Sequence, residues 1–310
     1  MWWSPVSRSQ LVSVIPGITD EAIARAFDPY VIEEFDADNP RWVKAIRDVE
    51  AKLERSTPTW DHWLTADGRR TTAQVQHRYD EHWSRISLAG ELAGNRIGWF
   101  EWRDRRMRAR TVGLKRVYQL WLTRVLRWLK PESVLEVGFG WGMHLLALAA
   151  QFPDIRFQGV ELTETGVRTA RRLAADPDTP RLLEGFVVDP IRDVTATTRL
   201  DLRQGSAEAL PLPDKSVDMV ITVLALEQME RIRETALREL ARVARRHVVM
   251  IEPFRDWNSD PPYREYIRQL DYWSAALDDL PAFGLVPVAA DADIPQKLTS
   301  RAGIVVASIP

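Results

Sequence analysis

The stretch Ser133-Val-Leu-Glu-Val-Gly-Phe-Gly-Trp-Gly-Met-His-Leu-Leu-Ala-Leu-Ala149 decides the fold. Residues 134–137 are mostly apolar and β-branched, which is typical of a short buried strand. From Met143 onward the residues favour a helix. A strand that breaks into glycines and then opens a helix brings its backbone close to a ligand, because a Cβ there would obstruct the turn or the ligand. The stretch therefore predicts a ligand-binding turn that contains Gly138, Gly140 and Gly142.

The spacing of these glycines argues against a dehydrogenase, whose nucleotide fingerprint needs a third glycine where this chain has Met143. Glu136-Val-Gly-Phe-Gly-Trp-Gly142 instead resembles motif I of the class I S-adenosylmethionine-dependent methyltransferases. Phe157-Gln-Gly-Val-Glu-Leu162 is similar to the second strand of that family, which ends in an acidic residue. Gly205-Ser-Ala-Glu-Ala-Leu-Pro-Leu-Pro-Asp214, followed by a further strand, resembles its adenine-side loop. The resemblance covers roughly residues 131–310.

The resemblance implies S-adenosyl-L-methionine as the cofactor and gives its residues their roles. Glu161 would accept the ribose hydroxyls at the end of the second strand, and Glu136 would help to orient the cationic methionine end. Ser206 departs from the family pattern, which more often has Asp there to bind the adenine amino group. The implied cofactor-binding set is Glu136, Gly138, Phe139, Gly140, Gly142, Glu161, Leu162, Ser206, Ala207 and Leu224.

Two carboxylates are candidates for a catalytic base. Glu227 follows the fourth strand, where relatives often carry acidic or histidine residues, and Glu252 ends the fifth strand on the same rim of the sheet. A hydroxyl acceptor benefits from such a base. Since some family members need none, the assignment stays open. His144, inside the helix after motif I, is expected to be packed rather than catalytic.

Composition restricts the class of protein. The chain has 310 residues, 45% of them hydrophobic, which is enough for a full core. Its net charge of −2 gives no overall attraction to nucleic acid or membrane. The absence of cysteine excludes disulfides, thiolate metal sites and a cysteine nucleophile. No stretch has the length of a signal peptide core or a membrane span, so we expect a cytoplasmic protein, while the oligomeric state stays open.

Residues 1 to about 95 match no motif, and the first 130 residues hold 10 of the 13 tryptophans. Clustered tryptophan can line a site for a sugar or an aromatic acceptor, but a small helical subdomain with tryptophan in its core is the simpler interpretation. His77 and His82 flank two acidic residues, yet their spacing of five suits one helix face poorly, so we expect solvated polar side chains and no metal.

Residues 96–130 are basic, with 11 Lys or Arg against Glu101 and Asp104. Apolar residues from Leu114 to Trp128 fall on one helical stripe, so we predict a helix that docks on the sheet. The arginines could bind a phosphate or carboxylate, or form a solvated helix face. These arginines are Arg103, Arg105, Arg106, Arg108 and Arg110.

Strands and helices alternate from residue 134 to the end. The pattern predicts strands near 134–137, 157–161, 200–204, 217–223, 247–252, 285–289 and 303–309. Such alternation implies an α/β fold with a mostly parallel, doubly wound sheet. A further helix is predicted from Tyr263 to Leu277. We therefore predict a seven-stranded, Rossmann-like methyltransferase core over 131–310 and a helical accessory region, or lid, over 1–130.

The leading hypothesis is an enzyme of secondary or cell-envelope metabolism that methylates a small molecule, with oxygen as the expected acceptor atom. A methyltransferase acting on RNA or another nucleic acid is the alternative that the arginines suggest, although nucleic acid is an unexpected partner for an acidic chain. A non-catalytic S-adenosylmethionine-binding protein is a third possibility, suggested by Ser206 and the undecided base. We expect the lid to cover the cofactor cleft, with Tyr263 to Trp273 closing its other side.

Overall fold

The computed structural model describes residues 15–54, 70–260, 263, 264, 267 and 271–310. Its helices are α1 (Asp20–Phe27), α2 (Pro40–Glu54), α3 (Thr72–Ser84), α4 (Leu88–Ala93), α5 (Val112–Leu129), α6 (Met143–Gln151), α7 (Glu164–Ala175), α8 (Thr179–Glu184) and α9 (Arg233–Val243). Its strands are β1 (Val31–Glu34), β2 (Ile97–Trp102), β3 (Arg105–Arg110), β4 (Ser133–Val137), β5 (Arg156–Glu161), β6 (Asp201–Gln204), β7 (Val217–Val223), β8 (Ala244–Glu252), β9 (Val286–Asp291), β10 (Gln296–Lys297) and β11 (Gly303–Ser308).

The larger sheet has seven strands in the order β6-β5-β4-β7-β8-β11-β9. β4 through β8 pair in parallel, and β11 runs antiparallel to both β8 and β9. The predicted seven-stranded, mostly parallel sheet is confirmed, and its antiparallel pair, β11 and β9, lies at one edge. Because β4 lies between β5 and β7, the carboxyl ends of these three strands meet on one rim, where ligands of open α/β sheets bind.

The predicted helical stripe from Leu114 to Trp128 is confirmed, because it lies within α5. The arginines before it do not form a helix face: β2 and β3 form an antiparallel hairpin, which places them on a strand and the turn before it. Met107 and Ala109 are buried between exposed or half-buried arginines, which is the period of two of a strand. This hairpin joins β1 and β10 in a smaller sheet of order β1-β3-β2-β10.

After β7 the chain forms two short 3₁₀ turns, and α9 begins at Arg233. One further predicted helix needs correction. In the helix expected from Tyr263 to Leu277, residues 271–276 are not helical, and several residues of 261–270 lie outside the described part of the chain. The stretch between α7 and β6 contains the short helix α8.

One hydrophobic cluster joins the two parts of the chain. Phe27, Phe100 and Trp121 pack in the same buried cluster as Val134 and Ile304 of the larger sheet. Trp42, Trp102 and Trp121 are buried, so in these positions tryptophan serves as core, while Trp60 and Trp63 lie outside the described residues. The described part of the chain contains no helix with the length and apolar character that crossing a bilayer requires.

Candidate active site

The glycine turn after β4 has an unusual backbone. Gly138, Gly140 and Gly142 have φ angles of +72°, +58° and +89°, in the left-handed region that L-residues with a Cβ rarely adopt. At Gly140 the space is also restricted, because a Cβ would lie 2.8 Å from Cζ2 of Trp83. At Gly140 the turn therefore closely approaches an aromatic side chain of α3.

Glu161 at the end of β5 holds this turn in place. Its Oε2 accepts a hydrogen bond from the Gly140 backbone N–H at 2.9 Å, and its Oε1 accepts from the N–H and hydroxyl of Thr163 at 3.0 and 2.7 Å. The hydroxyl of Thr163 in turn caps α7 by accepting from the Gly166 N–H, as its sequence position predicts. Burial nevertheless raises the pKa of Glu161. One carboxylate thus links the ends of two strands.

Glu136 is a buried carboxylate with an unsatisfied atom. Only 3% of the residue is exposed, and its Oε2 has no hydrogen-bond partner in the described residues. Burial and the neighbouring charge of Glu161 raise the pKa of Glu136 to about 8. A buried polar atom without a partner is costly unless a ligand satisfies it. Glu136 is therefore suited to bind a cation or a hydrogen-bond donor.

A cavity of about 320 Å³ lies over these residues. Nine predicted cofactor residues line it: Glu136, Gly138, Phe139, Gly140, Glu161, Leu162, Ser206, Ala207 and Leu224. Gly142 is outside the lining: it directly precedes α6, and a Cβ there would lie 3.0 Å from Cβ of Ala170 on α7. The carboxyl ends of the parallel strands thus bring together residues that are up to 88 positions apart, as 136 and 224 are.

The rim of this cavity beyond β6 and β7 shows how two predicted residues are placed. Ser206 is half-buried, and its hydroxyl accepts a hydrogen bond from the Glu208 N–H at 3.1 Å, so that oxygen already serves the turn. Leu224 has a φ of +50°, an uncommon conformation for a residue with a Cβ. Its N–H donates to the Ile251 carbonyl at 2.9 Å, which fixes the chain where β7 ends.

Glu252 lies outside the cavity lining. It is fully buried, and its Oε1 accepts from the N–H groups of Ala225 and Leu226 at 3.0 and 3.1 Å, while its Oε2 accepts from the Glu227 N–H at 3.3 Å. Burial and the charge of Glu227 raise the pKa of Glu252 to about 8. The expectation that Glu252 reaches the reacting groups is therefore corrected: its carboxyl group supports the loop that presents Glu227.

Glu227 does line the cavity. Its Oε1 accepts a hydrogen bond from Nε2 of Gln228 at 3.0 Å. Burial raises the pKa of this carboxyl group, although the positive charges of Lys297 and Arg70 oppose the shift. Of the two predicted carboxylates, only Glu227 combines access to the cavity with a raised pKa.

Comparison with known proteins agrees with this geometry. Residues 135–251 match a family model described as a methyltransferase domain. No sequence among the curated proteins matches the chain. Residues 135–251 are therefore a methyltransferase domain.

Solved structures share the fold of this methyltransferase at low sequence identity. The [4+2]-cyclase SpnF is 16% identical with a TM-score of 0.54, and the match covers 78% of this chain and 98% of that one. Magnesium protoporphyrin IX methyltransferase (ChlM) from Synechocystis PCC 6803 with bound SAH is 13% identical with a TM-score of 0.52, covering 77% and 100%. At these identities the two structures support the fold alone.

S-adenosylmethionine is the cofactor of the methyltransferase, and the site fits it. The cofactor carries a sulfonium and an ammonium group, and the cavity offers the unpartnered carboxylate oxygen of Glu136. The glycine turn leaves backbone rather than side chains on that wall, which allows a close approach.

The methyltransferase cavity has a second wall, whose individual residues the sequence analysis did not identify. Described residues of the first 130 contribute Arg70, Thr72, Val75, Tyr79, His82, Trp83, Lys115 and Tyr118 to the lining. Tyr79 and Trp83 stand four residues apart on α3, with ring centroids 5.4 Å apart. Their helical spacing was the available signal, because i and i+4 share one helix face.

Arg70 connects the N-terminal wall of the cavity to the core through hydrogen bonds. Its backbone N–H donates to Oδ2 of Asp271 at 2.8 Å, and its guanidinium donates to the Asp271 carbonyl at 2.8 Å and to Oε1 of Gln228. The guanidinium also lies 4.8 Å from the ring centroid of Tyr272. Residues 271 and 272 thus meet the N-terminal region at the cavity, near where the sequence placed the other side of the lid.

Arg103 and Arg105 of the hairpin are engaged in ion pairs. Arg103 contacts Asp20 and, at 2.7 Å, Asp293. Arg105 pairs with Asp28 at 2.9 Å and Glu34 at 2.5 Å. The acidic partners neutralise positive charge that would otherwise be available to bind a phosphate backbone, which disfavours the nucleic-acid interpretation. In the described ranges, no group of three or more His, Asp or Glu side chains could hold a metal ion, His77 and His82 included.

Proposed function

We propose that this methyltransferase transfers the methyl group of S-adenosylmethionine to an oxygen of a small molecule. The observation that carries the proposal is the pair of walls around one cavity, with the glycine turn and Glu161 on one side and Tyr79 and Trp83 on the other. Its volume of about 320 Å³ lies in the range of roughly 300–1,000 Å³ for small-molecule sites. A nucleic-acid strand would need an open, positively charged groove instead.

The cofactor assignments form the first part of the proposal. Glu161 would accept the ribose hydroxyls, and Glu136 would face the cationic methionine end. The adenine side would rest on Leu162, Ser206, Ala207 and Leu224, with the backbone of Gly138, Phe139, Gly140 and Gly142 forming the turn. Bound there, the cofactor supplies an activated methyl group on its sulfonium.

Glu227 forms the second part, as the base. The acceptor oxygen would form a bond to the methyl carbon as the bond from carbon to sulfur breaks, and Glu227 would take the proton that this oxygen loses. A carboxylate with a raised pKa is a stronger base near neutral pH than an exposed one. Glu252 would act only as a positioning residue, through the three N–H groups it accepts.

The division of the chain forms the third part. We propose that residues 1–130 act as the lid and residues 131–310 as the catalytic core. Arg70, Trp83 and Tyr118 support this role, because each comes from the first part and lines the cavity. Excluding water there would align the acceptor and protect the sulfonium. We also propose a cytoplasmic enzyme of secondary or cell-envelope metabolism.

The test compares wild type with Glu227→Gln on a panel of small phenols, alcohols, amines and carboxylic acids, measuring methyl transfer. Because a cyclase shares this fold, turnover and not cofactor binding alone is decisive. We expect methylation of hydroxyl compounds and a loss of roughly 10²-fold or more in kcat for Glu227→Gln. Glu208→Gln, an exposed neighbour outside the lining, is the matched control. Methylation of nitrogen alone, or full activity of Glu227→Gln, would contradict the proposal.

A further inference from the structure

A buried chain of side chains runs from the cavity into the protein through His144. Nε2 of Gln151 donates a hydrogen bond to the backbone carbonyl of Asp189 at 2.8 Å. Nε2 of Gln119 donates to Oε1 of Gln151 at 2.9 Å. Oε1 of Gln119 lies 2.9 Å from Nδ1 of His144, which lines the cavity. Two glutamine side chains, one from α5 and one from α6, are thus aligned behind one cavity residue.

The polarity of this chain is determined at its inner end. A backbone carbonyl can only accept, so Gln151 must direct its amide nitrogen to Asp189 and its oxygen to Gln119. Gln119 then directs its nitrogen to Gln151 and its oxygen to His144. An amide oxygen can only accept, and therefore Nδ1 of His144 carries the proton. In a neutral ring, Nε2 is then an acceptor with a free lone pair.

The surroundings keep this ring neutral. Burial, with the positive charge of Lys115 on α5 as a second cause, lowers the pKa of His144 to about 3. Phe186 packs beside the ring, with centroids 5.9 Å apart. His144 is thus unsuited to take a proton from the acceptor at neutral pH, and that task stays with Glu227. What His144 can do is accept a hydrogen bond.

We propose that His144 determines acceptor specificity: its unprotonated Nε2 accepts a hydrogen bond from a second donor group of the acceptor, distinct from the hydroxyl that is methylated. The acceptor class is then a small molecule with at least two hydrogen-bond donors, such as a diol, a catechol or an amino alcohol. This inference rests on the proposed function for the reacting hydroxyl, whereas the tautomer of His144 is independent of it.

The first arm of the test observes the tautomer in the full-length protein with ¹⁵N-labelled histidine. Long-range ¹H–¹⁵N spectra should show a protonated Nδ1 and an unprotonated Nε2 for His144 from about pH 5 to pH 8, the range in which ordinary histidines titrate. His144→Asn assigns the signals, and His247→Asn, on β8 and outside the cavity lining, is the control. The opposite tautomer, or a titrating ring, would overturn the proposal.

A substitution in the hydrogen-bonded chain behind His144 tests the tautomer further. In Gln119→Glu a carboxylate replaces the amide oxygen that faces Nδ1, which favours a doubly protonated ring. In this variant we expect His144 to gain a proton at Nε2 near pH 5. Acceptor binding should then weaken, because a protonated Nε2 cannot accept a hydrogen bond. An unaltered ring in Gln119→Glu would show that Gln119 does not control the tautomer.

The second arm measures specificity with pairs of compounds, each a catechol or diol and its analogue lacking one hydroxyl. Wild type should prefer the two-donor member by roughly tenfold or more in kcat/KM. His144→Phe should lose this preference while binding S-adenosylhomocysteine as wild type does. If thermal melting shows that His144→Phe is unfolded, His144→Leu, which also lacks an acceptor, takes its place. The proposal would be overturned if the variant kept the preference for the two-donor compound. It would also be overturned if the variant's affinity for S-adenosylhomocysteine fell by the same factor as the preference. If no hydroxyl is methylated at all, the proposed function fails, while the spectra still decide the tautomer.

Discussion

The indole of Trp83 lies against the glycine turn, so that a Cβ on Gly140 would come within 2.8 Å of its Cζ2. This contact joins α3 of the N-terminal region to the turn that the sequence assigns to the cofactor. Tyr79 and His82 pack on the same indole, with ring centroids 5.4 and 4.8 Å from it. The wall opposite the turn is therefore an aromatic group placed where a ligand on Gly140 would meet it.

The contact makes a double-mutant cycle informative. Gly140→Ala should destabilise the protein by roughly 1–3 kcal/mol, because the residue has φ +58° and its new methyl group meets the indole. Trp83→Ala should remove the steric part of that cost but leave the backbone part. Urea unfolding of the two single variants and the double variant measures the coupling. Strictly additive changes in the free energy of unfolding would mean that the indole moves aside without an energetic penalty.

Gly140→Val should abolish cofactor binding while the protein still folds, since the larger side chain fills the space between the turn and α3. Calorimetric titration with S-adenosylhomocysteine measures the affinity, and circular dichroism checks the fold. If cofactor binding is retained, the turn does not approach the ligand. If the variant is unfolded, the glycine serves packing.

Cofactor binding should release a proton from Glu136. In the free protein burial holds the pKa of this carboxyl group at about 8, so it is mostly protonated at neutral pH. A cation beside it favours the charged form and lowers the pKa. We therefore expect release of up to about one proton and an affinity that rises with pH toward 8. Titrations in buffers of different ionisation enthalpy measure the release, and Glu136→Gln should eliminate it.

The same carboxyl groups predict how stability depends on pH. Glu136 and Glu252 have pKa values raised from 4.5 to about 8 in the folded state. Between these values the folded protein binds more protons than the unfolded chain, so the free energy of unfolding should fall as pH rises, by up to about 1.4 kcal/mol per pH unit for each group. Glu136→Gln should reduce this slope in urea unfolding. A slope that is equal in the variant would contradict the raised pKa.

Glu161 allows a matched comparison of two carboxylates. Glu161→Gln should weaken S-adenosylmethionine binding by roughly 1–3 kcal/mol, because a charge-assisted hydrogen bond to the ribose is lost and the contact with the Gly140 N–H is weakened. Glu208→Gln, exposed on the neighbouring loop, should leave affinity unchanged. Calorimetry compares the two variants. Equal affinities would remove the ribose assignment. NAD should give no thermal stabilisation of the wild type.

The larger sheet could be predicted from the sequence because its signals are local. Apolar runs such as Val217–Val223 are short and bounded by turns, and each is followed by a helix or turn of recognisable pattern. The arginine-rich hairpin was missed for the converse reason. Met107 and Ala109 alternate with arginines over only one short strand, and the strong helical stripe of α5 directly follows it.

The site could be predicted on the cofactor side and not on the lid side. Gly138, Glu161 and Leu224 lie at strand ends, so the topology alone brings them to one rim. Arg70 and His144 depend on partners far along the chain, Asp271 and Gln119, and no pattern in one sequence reports such pairs. Glu252 was misplaced because the end of its strand lies on the rim, while its carboxyl group turns toward backbone N–H groups.

The measurement that tests the central claim most directly uses S-adenosylmethionine with a deuterated methyl group. The full-length enzyme and its Glu227→Gln variant are incubated with a mixture of small hydroxyl compounds and, separately, with RNA, and mass spectrometry locates the label. We predict a deuterated methyl ether in the small-molecule mixture, absent with Glu227→Gln, and no labelled nucleoside. Label in RNA, or an ether formed equally by Glu227→Gln, would contradict the account.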